Sequence, residues 1–578
     1  MSIYSKADPA RWPYKSGFNN SYEKDTDIEI GKLNIVNAEF ICPGDIVHLS
    51  ENILLRFQAQ FAPFFTPLTA TVRAWFVPLR LVEENTEWII TGSKNGKLMK
   101  NDDGSEVELP KFDKLFDYDS ALVDGAFKVK IGGIAEQMFG MPTKKGDGVT
   151  ELDYSTITQC KVIPALYWIK GYYRLWFDYY RDENLFDYED FDDWWSAILA
   201  EGKIGQQDLL PVNWRKDYLT SMLYAQQKGI APVLNPFINN PQLALPVTDI
   251  ANKMITSSTT KVEDAFSGYK DFFNRSALVN PGYNPPTTTY NHDALALGKT
   301  EYVSENTSPA YLLGIDTKAI QAIQGGFNAS ELRLLFAQQK IFERLMRCGS
   351  RYVEYLMSNF GIAPADETLQ RVQYLGGFKQ AVVTSEVLQT GEGTDPVGTQ
   401  RGHSISAGGN KIGSYTFKEF GLLYVTLSVM PKAQYTQGIN RKYGLVERFD
   451  FPNPSFQFLS EDEVVNGEVY VDTDTDESGG LMNDKTMGFQ EMYAWLKSNR
   501  DMICGNLRGS EAYWTMPRLF SSRPNLNEQF LTSVADSSNF AIPFSVVDKP
   551  PIIMRAGNIC HMWRNFAKYG TPGLLDHY

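Results

Sequence analysis

The sequence predicts a mainly β chain, a β-sandwich whose strands are joined by long helical and loop insertions. Three observations carry this. In residues 68–77, Leu68, Ala70, Val72, Ala74 and Phe76 alternate with Thr69, Thr71, Arg73, Trp75 and Val77, the period of a strand. Residues 420–431 (FGLLYVTLSVMP) form a near-continuous apolar run of strand length, which reads as a buried strand. Between such runs lie very long connections, some of them with helical spacing: Leu332, Leu335, Phe336, Phe342, Leu345 and Met346 recur on one face.

Taken in order, residues 1–30 read as an N-terminal arm. Tyr4, Trp12, Tyr14, Phe18 and Tyr22 interleave with Lys6, Arg11 and Lys15, a mixture that stacks on and neutralises single-stranded nucleic acid. The alternative is an arm lying on its own or a neighbouring subunit, because Asp8, Glu23, Asp25 and Asp27 cancel much of the charge. From 33 to 78 the chain reads as strand. Ile35, Phe40 and Ile41 run into a turn at Cys42-Pro43-Gly44-Asp45, and 46–61 is rich in β-branched and aromatic residues. Residues 91–160 read as irregular.

Pro164 suits a first helical turn, and residues 165–185 follow with eight aromatics between Tyr167 and Tyr180. Such a cluster packs a core or a subunit interface, with Tyr172 and Trp176 as interface candidates, or serves as a sugar- or base-stacking platform. Residues 230–326 are punctuated by Pro, Asn, Thr and Gly with weak periodicity, the composition of an exposed insertion. In 327–377 Asn328 can cap a helix with Glu331 returning the bond, and Phe327 and Leu332 can staple its entry. Cys348-Gly349 interrupts it. Tyr352, Val353, Leu356 and Met357 resume up to Gly361, with Pro364 beyond, so the reading is two helices and then a polar turn. Residues 384–410, rich in Gly, Ser and Thr, read as loop.

The 578 residues carry a net charge of −14, which argues against a whole-surface nucleic-acid binder but is compatible with one basic face. No apolar run approaches the ~18–20 residues of a membrane span, and the start, MSIYSKADPARW, has no signal-peptide hydrophobic region. Cys42, Cys160, Cys348, Cys504 and Cys560 are scattered without a CxxC pair, so free thiols in a reducing cytoplasm are expected.

Catalytic signatures are sparse. His48, His292, His403, His561 and His577 form no HExxH motif, and no GxSxG elbow occurs. Residues 92–97 fall one residue short of a P-loop and put Leu98 where Ser or Thr should hold magnesium. Asp472, Asp474 and Asp476 mimic half of an EF-hand loop, yet Glu477 replaces the turn glycine and Asn483 the closing glutamate, so a solvated acidic loop competes with a weak cation site. The 69 acidic residues leave paired carboxylates for glycoside hydrolysis open but unspecific. Late in the chain Arg555, His561, Trp563, Arg564, Phe566 and Lys568 bring cations beside rings, either as a nucleic-acid-facing patch or as an ion-pair patch.

Several stretches resemble the major capsid proteins of microviruses, the gokushovirus branch in particular. They are RYVEYLMSNFGIAPADETLQRVQYLGG (351–377), PLTATVRAWFVPLRLVEENTEWI (67–89), PGD (43–45), IAEQMFGMPT (134–143), RKDYLTSMLYAQQKG (215–229), KAQYTQGINRKYGLVERFDFPNP (432–454), NLNEQFL (525–531) and TPGLLDHY (571–578). The resemblance implies an eight-stranded viral jelly roll, begun in 31–229 with helical insertions and completed in 327–578 after a helical connection. It implies that 230–326 is a surface protrusion for host attachment. It further implies a non-enzymatic subunit without cofactor, located in the virion and assembled in the bacterial host cytoplasm. The shell would be a T=1 icosahedron around a circular single-stranded DNA genome. Implied partners are further copies of the chain, the DNA, internal scaffolding, DNA-pilot and small basic DNA-binding proteins, and a host cell-surface receptor. Arg371 and Tyr374, in the family-like stretch 369–377, are expected at subunit contacts. The alternative is a β-sandwich that binds or hydrolyses polysaccharide, which accounts for the composition but not for these stretches.

Overall fold

A computed structural model describes residues 15–83, 85–91, 93–94, 97–98, 129–146, 148–150, 152, 164–201, 204–229, 300–302, 311–313, 329–349, 351–388, 400–459, 461–476, 479–546 and 549–569. The principal strands are β1 (Ser16–Asn19), β2 (Tyr22–Ile28), β3 (Asn34–Ile41), β4 (Ile46–Phe57), β5 (Leu68–Pro78), β6 (Gln373–Ala381), β7 (Val383–Leu388), β8 (Gln400–Thr416), β9 (Gly421–Pro431) and β10 (Ile552–Arg564). They form two antiparallel sheets. In the first, β1 and β2 both pair with β10, and the order continues β10–β4–β8–β7; in the second the order is β6–β5–β9–β3. The β10–β4 ladder runs from Ile552 opposite Phe57 to Trp563 opposite Ile46.

The sheets pack face to face, as a β-sandwich. Val47, Leu49, Ile53, Leu55, Met554, Cys560 and Met562 of the first sheet meet Ala70, Val72, Phe76, Val425 and Val429 of the second in one apolar core. The alternation of β5 therefore supplies the inner face. Its opposite face is covered as well. Trp75 and Val77 of β5, with Leu422 and Tyr424 of β9, form a second core with helices α1 (Ile134–Phe139), α2 (Tyr167–Tyr179) and α3 (Phe191–Ala200). A strand buried on both sides has no polar side to show, which is why β9 reads as an unbroken apolar run.

Helix α2 sits close to β9 because Gly171 leaves room for it. A Cβ there would lie 2.7 Å from Tyr424 Oη and 3.1 Å from Leu422 Cδ1. The Tyr424 hydroxyl is fixed in that place by donating to the Trp168 carbonyl at 2.6 Å. Gly171→Leu is expected to cost about 2–3 kcal/mol of stability, the range of overpacked cores. Denaturant unfolding would measure it, and a loss too small to resolve would mean that the helix can shift freely.

Two helices in tandem are present: α4 (Ala329–Arg347) and α5 (Tyr352–Phe360). The α5 entry is closed by Glu354, whose Oε2 accepts the Arg351 N–H at 3.2 Å, and its exit by Gly361 at φ 69°. Phe327 and Asn328, the expected staple and cap, lie outside the described residues, as do Lys6, Arg11, Trp12 and most of 230–326. The chain divides into two compact units, residues 1–226 with 346–578, and residues 227–345. Within the second unit Thr300–Tyr302 pairs antiparallel with Tyr311–Leu313, and the Lys228 N–H bonds the Phe342 carbonyl of α4 at 3.2 Å.

Two expectations are corrected. Residues 384–410 are not a loop throughout: β7 and most of the long β8 fall there. Glycine suits β8 because its backbone is crowded. A Cβ on Gly402 would run into the Gln60 side chain and the Ala62 carbonyl, and one on Gly409 into the Asn52 side chain. The polar turn after α5 ends near Arg371, and residues 373–377 are already strand β6, paired to β5. The described part of the N-terminal segment lies on its own subunit, as one of the two readings of an arm expects, since β1 and β2 are ladder strands on β10.

Candidate functional site

The cations expected to face nucleic acid are mostly engaged within the chain. Arg555, on the outer face of β10, forms a two-toothed pair with Asp25 of β2, at 2.7 and 2.6 Å. That bond holds the Asp25 carboxyl below its usual range. Arg564 lies 3.1 Å from the buried Asp45 carboxylate and donates to the Phe40 carbonyl at 2.6 Å, which ties the end of β10 to the turn after β3. Lys15 donates to the Gly44 carbonyl at 3.1 Å, and Lys568 stands 5.8 Å from the Tyr569 ring centre. Arg555 and Arg564 thus do structural work on either face of the same strand.

The four interface candidates separate. Tyr172 and Trp176 are buried in the chain's own second core. The Tyr172 hydroxyl donates to the Leu33 carbonyl at 2.8 Å, and Trp176 Nε1 donates to the Pro211 carbonyl at 2.7 Å. Their apolar area and polar atoms are spent inside the subunit, so they are core rather than surface residues. Arg371 pairs with Asp366 and lies 5.0 Å from the Tyr179 ring centre. Tyr374 keeps about half its surface exposed and leans on Trp75 with ring centres 5.0 Å apart. These two remain available at the surface end of β6.

The acidic triplet does not converge. Asp476 pairs with Lys485 at 2.7 Å and accepts the Gly480 N–H, Asp474 is 3.9 Å from Arg523, and Asp472 accepts the Thr473 N–H at 2.7 Å. Among the described residues no group of three or more His, Cys, Asp or Glu could hold a metal ion. Cys560 and His561 point to opposite faces of β10, one buried and the other exposed. Burial, with Glu39 and Glu51 nearby, pushes the Cys560 thiol up to about 12.

One surface feature is not revealed by periodicity. Residues 439–459 leave a row of large apolar side chains in water: Phe458 is 89% exposed, Val446 83% and Phe449 75%, with Tyr443, Phe451 and Leu459 also more than half exposed. The segment is nevertheless held in one shape. Asp450 Oδ2 accepts the N–H groups of Val446 and Glu447 at 2.9 and 2.7 Å, and Asn453 caps the next turn through Ser455 N–H at 2.9 Å. The Asn453 N–H donates to the Tyr493 hydroxyl at 3.1 Å, and Arg441 anchors the start on Asp462 at 3.0 Å. A second uncovered surface is α5. None of its residues is buried, and Tyr352, Met357, Phe360 and the following Ile362 are mostly exposed. The only sequence signal for the first was the density of aromatics in a stretch with neither helical nor strand period.

Large apolar side chains left in water mark a surface suited to contact with other macromolecules. The chain belongs to the family described as Capsid protein (F protein), which matches residues 147–574. It is similar to Capsid protein VP1 of Chlamydia phage 1, at 26% identity over 97% of this chain and 96% of the relative. Capsid protein VP1 of Bdellovibrio phage phiMH2K is 25% identical over 98% and 96%, and that of Spiroplasma virus 4 is 25% identical over 70% and 72%. The resemblance to microvirus capsid proteins is borne out.

Proposed function

We propose that this chain is the shell-forming subunit of a T=1 icosahedral phage particle that encloses a circular single-stranded DNA genome. The observation that carries the reading is the nested pairing of strands. β2 pairs with β10, β3 with β9, β4 with β8 and β5 with β6, so the first half of the chain pairs with the second in reverse order. An antiparallel ribbon of that kind, wrapped so that its pairs fall alternately in two sheets, supports an eight-stranded jelly roll, an architecture used for capsids. Icosahedral symmetry requires each subunit to bury several different patches at once, and two preformed apolar surfaces on one chain suit that demand.

In this reading residues 230–326 form the host-attachment protrusion against a cell-surface receptor. The mature location is the virion, after assembly in the bacterial cytoplasm with an internal scaffolding protein and a DNA-pilot protein. A small basic DNA-binding protein supplies the charge that a chain of net −14 lacks. The membership of a capsid family favours this over a polysaccharide-active sandwich. Electron microscopy of the expressed protein, alone and with its scaffolding partner, tests it. Particles of one size are expected; soluble monomers under every condition would refute the reading.

A further inference from the structure

We propose that residues 439–459 are a docking arm that seats on helix α5 of a second copy of this chain, joining copies head to tail. The inference rests on the self-assembly reading and names the two surfaces that meet.

Area comes first. Tyr443, Phe449, Phe451 and Phe458 are each more than half exposed. At about 150–250 Å² per aromatic side chain when fully buried, covering them removes on the order of 400–700 Å² from water. That is half or more of the ~800 Å² per partner found in stable protein interfaces. The arm is also already in its bonded shape, fixed by Asp450, Asn453 and Arg441, so docking loses little conformational entropy.

Charge then selects the occupant. The arm carries Arg441, Lys442 and Arg448 against Glu447 and Asp450, a net of +1 on a chain of net −14. Arg441 is spent on Asp462 and Lys442 on Asn499, whereas Arg448 has no carboxylate partner among the described residues and lies 5.6 Å from the Phe449 ring centre. Residues 351–371, which contain α5, carry Glu354, Asp366 and Glu367 against Arg351 and Arg371, a net of −1. Glu354 caps α5 by accepting the Arg351 N–H at 3.2 Å, Asp366 pairs with Arg371, and Glu367 meets an exposed Lys418. A slightly basic apolar arm and a slightly acidic apolar helical segment on one chain are complementary between copies. The two patches differ, so the contact is heterologous, the type that closes into rings around three- or fivefold axes. A strongly basic partner would match the helix but not the arm.

The test uses the full-length chain. Phe458→Asp and Met357→Glu change exposed side chains, so both should keep the wild-type unfolding temperature. Each should reduce particle yield about tenfold or more, as when a charge replaces an interface anchor. Separately, a tagged Phe458→Cys chain is assembled with an untagged Met357→Cys chain and treated with a short bismaleimide. A tagged–untagged dimer absent from either variant alone is expected. Wild-type yield from both charge variants, or no such dimer in intact particles, overturns the docking pair while leaving self-assembly standing. Cross-links solely to a different polypeptide overturn it in favour of an unlike partner. A wild-type chain that never assembles refutes both readings together.

Discussion

Arg518→Met is expected to lower the unfolding free energy by about 3–5 kcal/mol, the cost of leaving a buried carboxylate without its counter-ion. Arg518 and Asp536 are both completely buried, with Nε 2.9 Å from Oδ2. The guanidinium also donates to the Phe530 carbonyl at 2.6 Å and lies within about 5 Å of the ring centres of Trp214, Phe530 and Phe520. Asp536 accepts from Trp214 Nε1 at 3.0 Å and from Asn539 at 3.3 Å. The pair therefore ties the segment before β10 to Trp214. Burial still pushes the Asp536 carboxyl up, and Arg518, Trp214 and Asn539 pull only part of it back. Desolvation is the larger effect, so the pair is a poor net stabiliser although its halves need each other. The double variant Arg518→Met with Asp536→Leu should lose less than Arg518→Met alone. Denaturant midpoints for the set decide it, and strictly additive losses would show that the two groups do not depend on each other.

The second sheet was legible because its residues obey one rule at a time. β5 alternates by two and β9 is apolar throughout, and each pattern is what burial on one or both faces demands. The first sheet was harder to read. β8 carries Gly402, Gly408, Gly409 and Gly413, which lower strand propensity, yet the close approach of Asn52, Gln60 and Ala62 forbids side chains at 402 and 409. Only tertiary contact explains that choice. In β10 the inward positions Ile552, Met554, Ala556, Asn558, Cys560 and Met562 do alternate with outward ones. The period was present, but Arg555, His561 and Arg564 drew the reading toward charge. For the candidate site, periodicity gave α5 an apolar face without saying what covers it. The aromatics of 439–459 had no period at all, so only their exposure in the folded chain marks them as a surface. Tyr172 and Trp176 show the converse. A helical aromatic cluster is equally suited to core and interface, and the close seat that Gly171 gives α2 on β9 settles it as core.

Glu51→Gln is expected to make the protein more stable above neutral pH and to flatten its pH dependence. Glu51 lies on β4 opposite Asn558 of β10 and Asn410 of β8, and it is wholly buried. Among the described residues neither carboxyl oxygen has a hydrogen-bond partner, nor do the side-chain N and O of Asn558 or the Nδ2 of Asn37. Nearby, the Tyr22 hydroxyl of β2 donates to Asn37 Oδ1 of β3 at 2.9 Å, linking the two sheets. Burial lifts the Glu51 carboxyl from an ordinary 4.5 to about 9, and Asn37 offsets only part of the rise. Because the folded state binds this proton more tightly than the unfolded chain, its stabilising contribution is complete below about pH 4.5 and is lost as pH rises toward 9. At pH 8 the loss is on the order of 3 kcal/mol, from ~1.4 kcal/mol per unit with a discount for incomplete burial. The neighbouring groups supply no counter-charge once the carboxylate forms. The Tyr22 hydroxyl and Cys560 thiol, both lifted in part by Glu51, stay neutral through this range. Glutamine keeps the shape, cannot ionise, and offers both a donor and an acceptor to Asn558. Unfolding temperatures of the two proteins should therefore diverge steadily between pH 5 and 9, with the variant higher; parallel curves would mean that Glu51 does not titrate in this range.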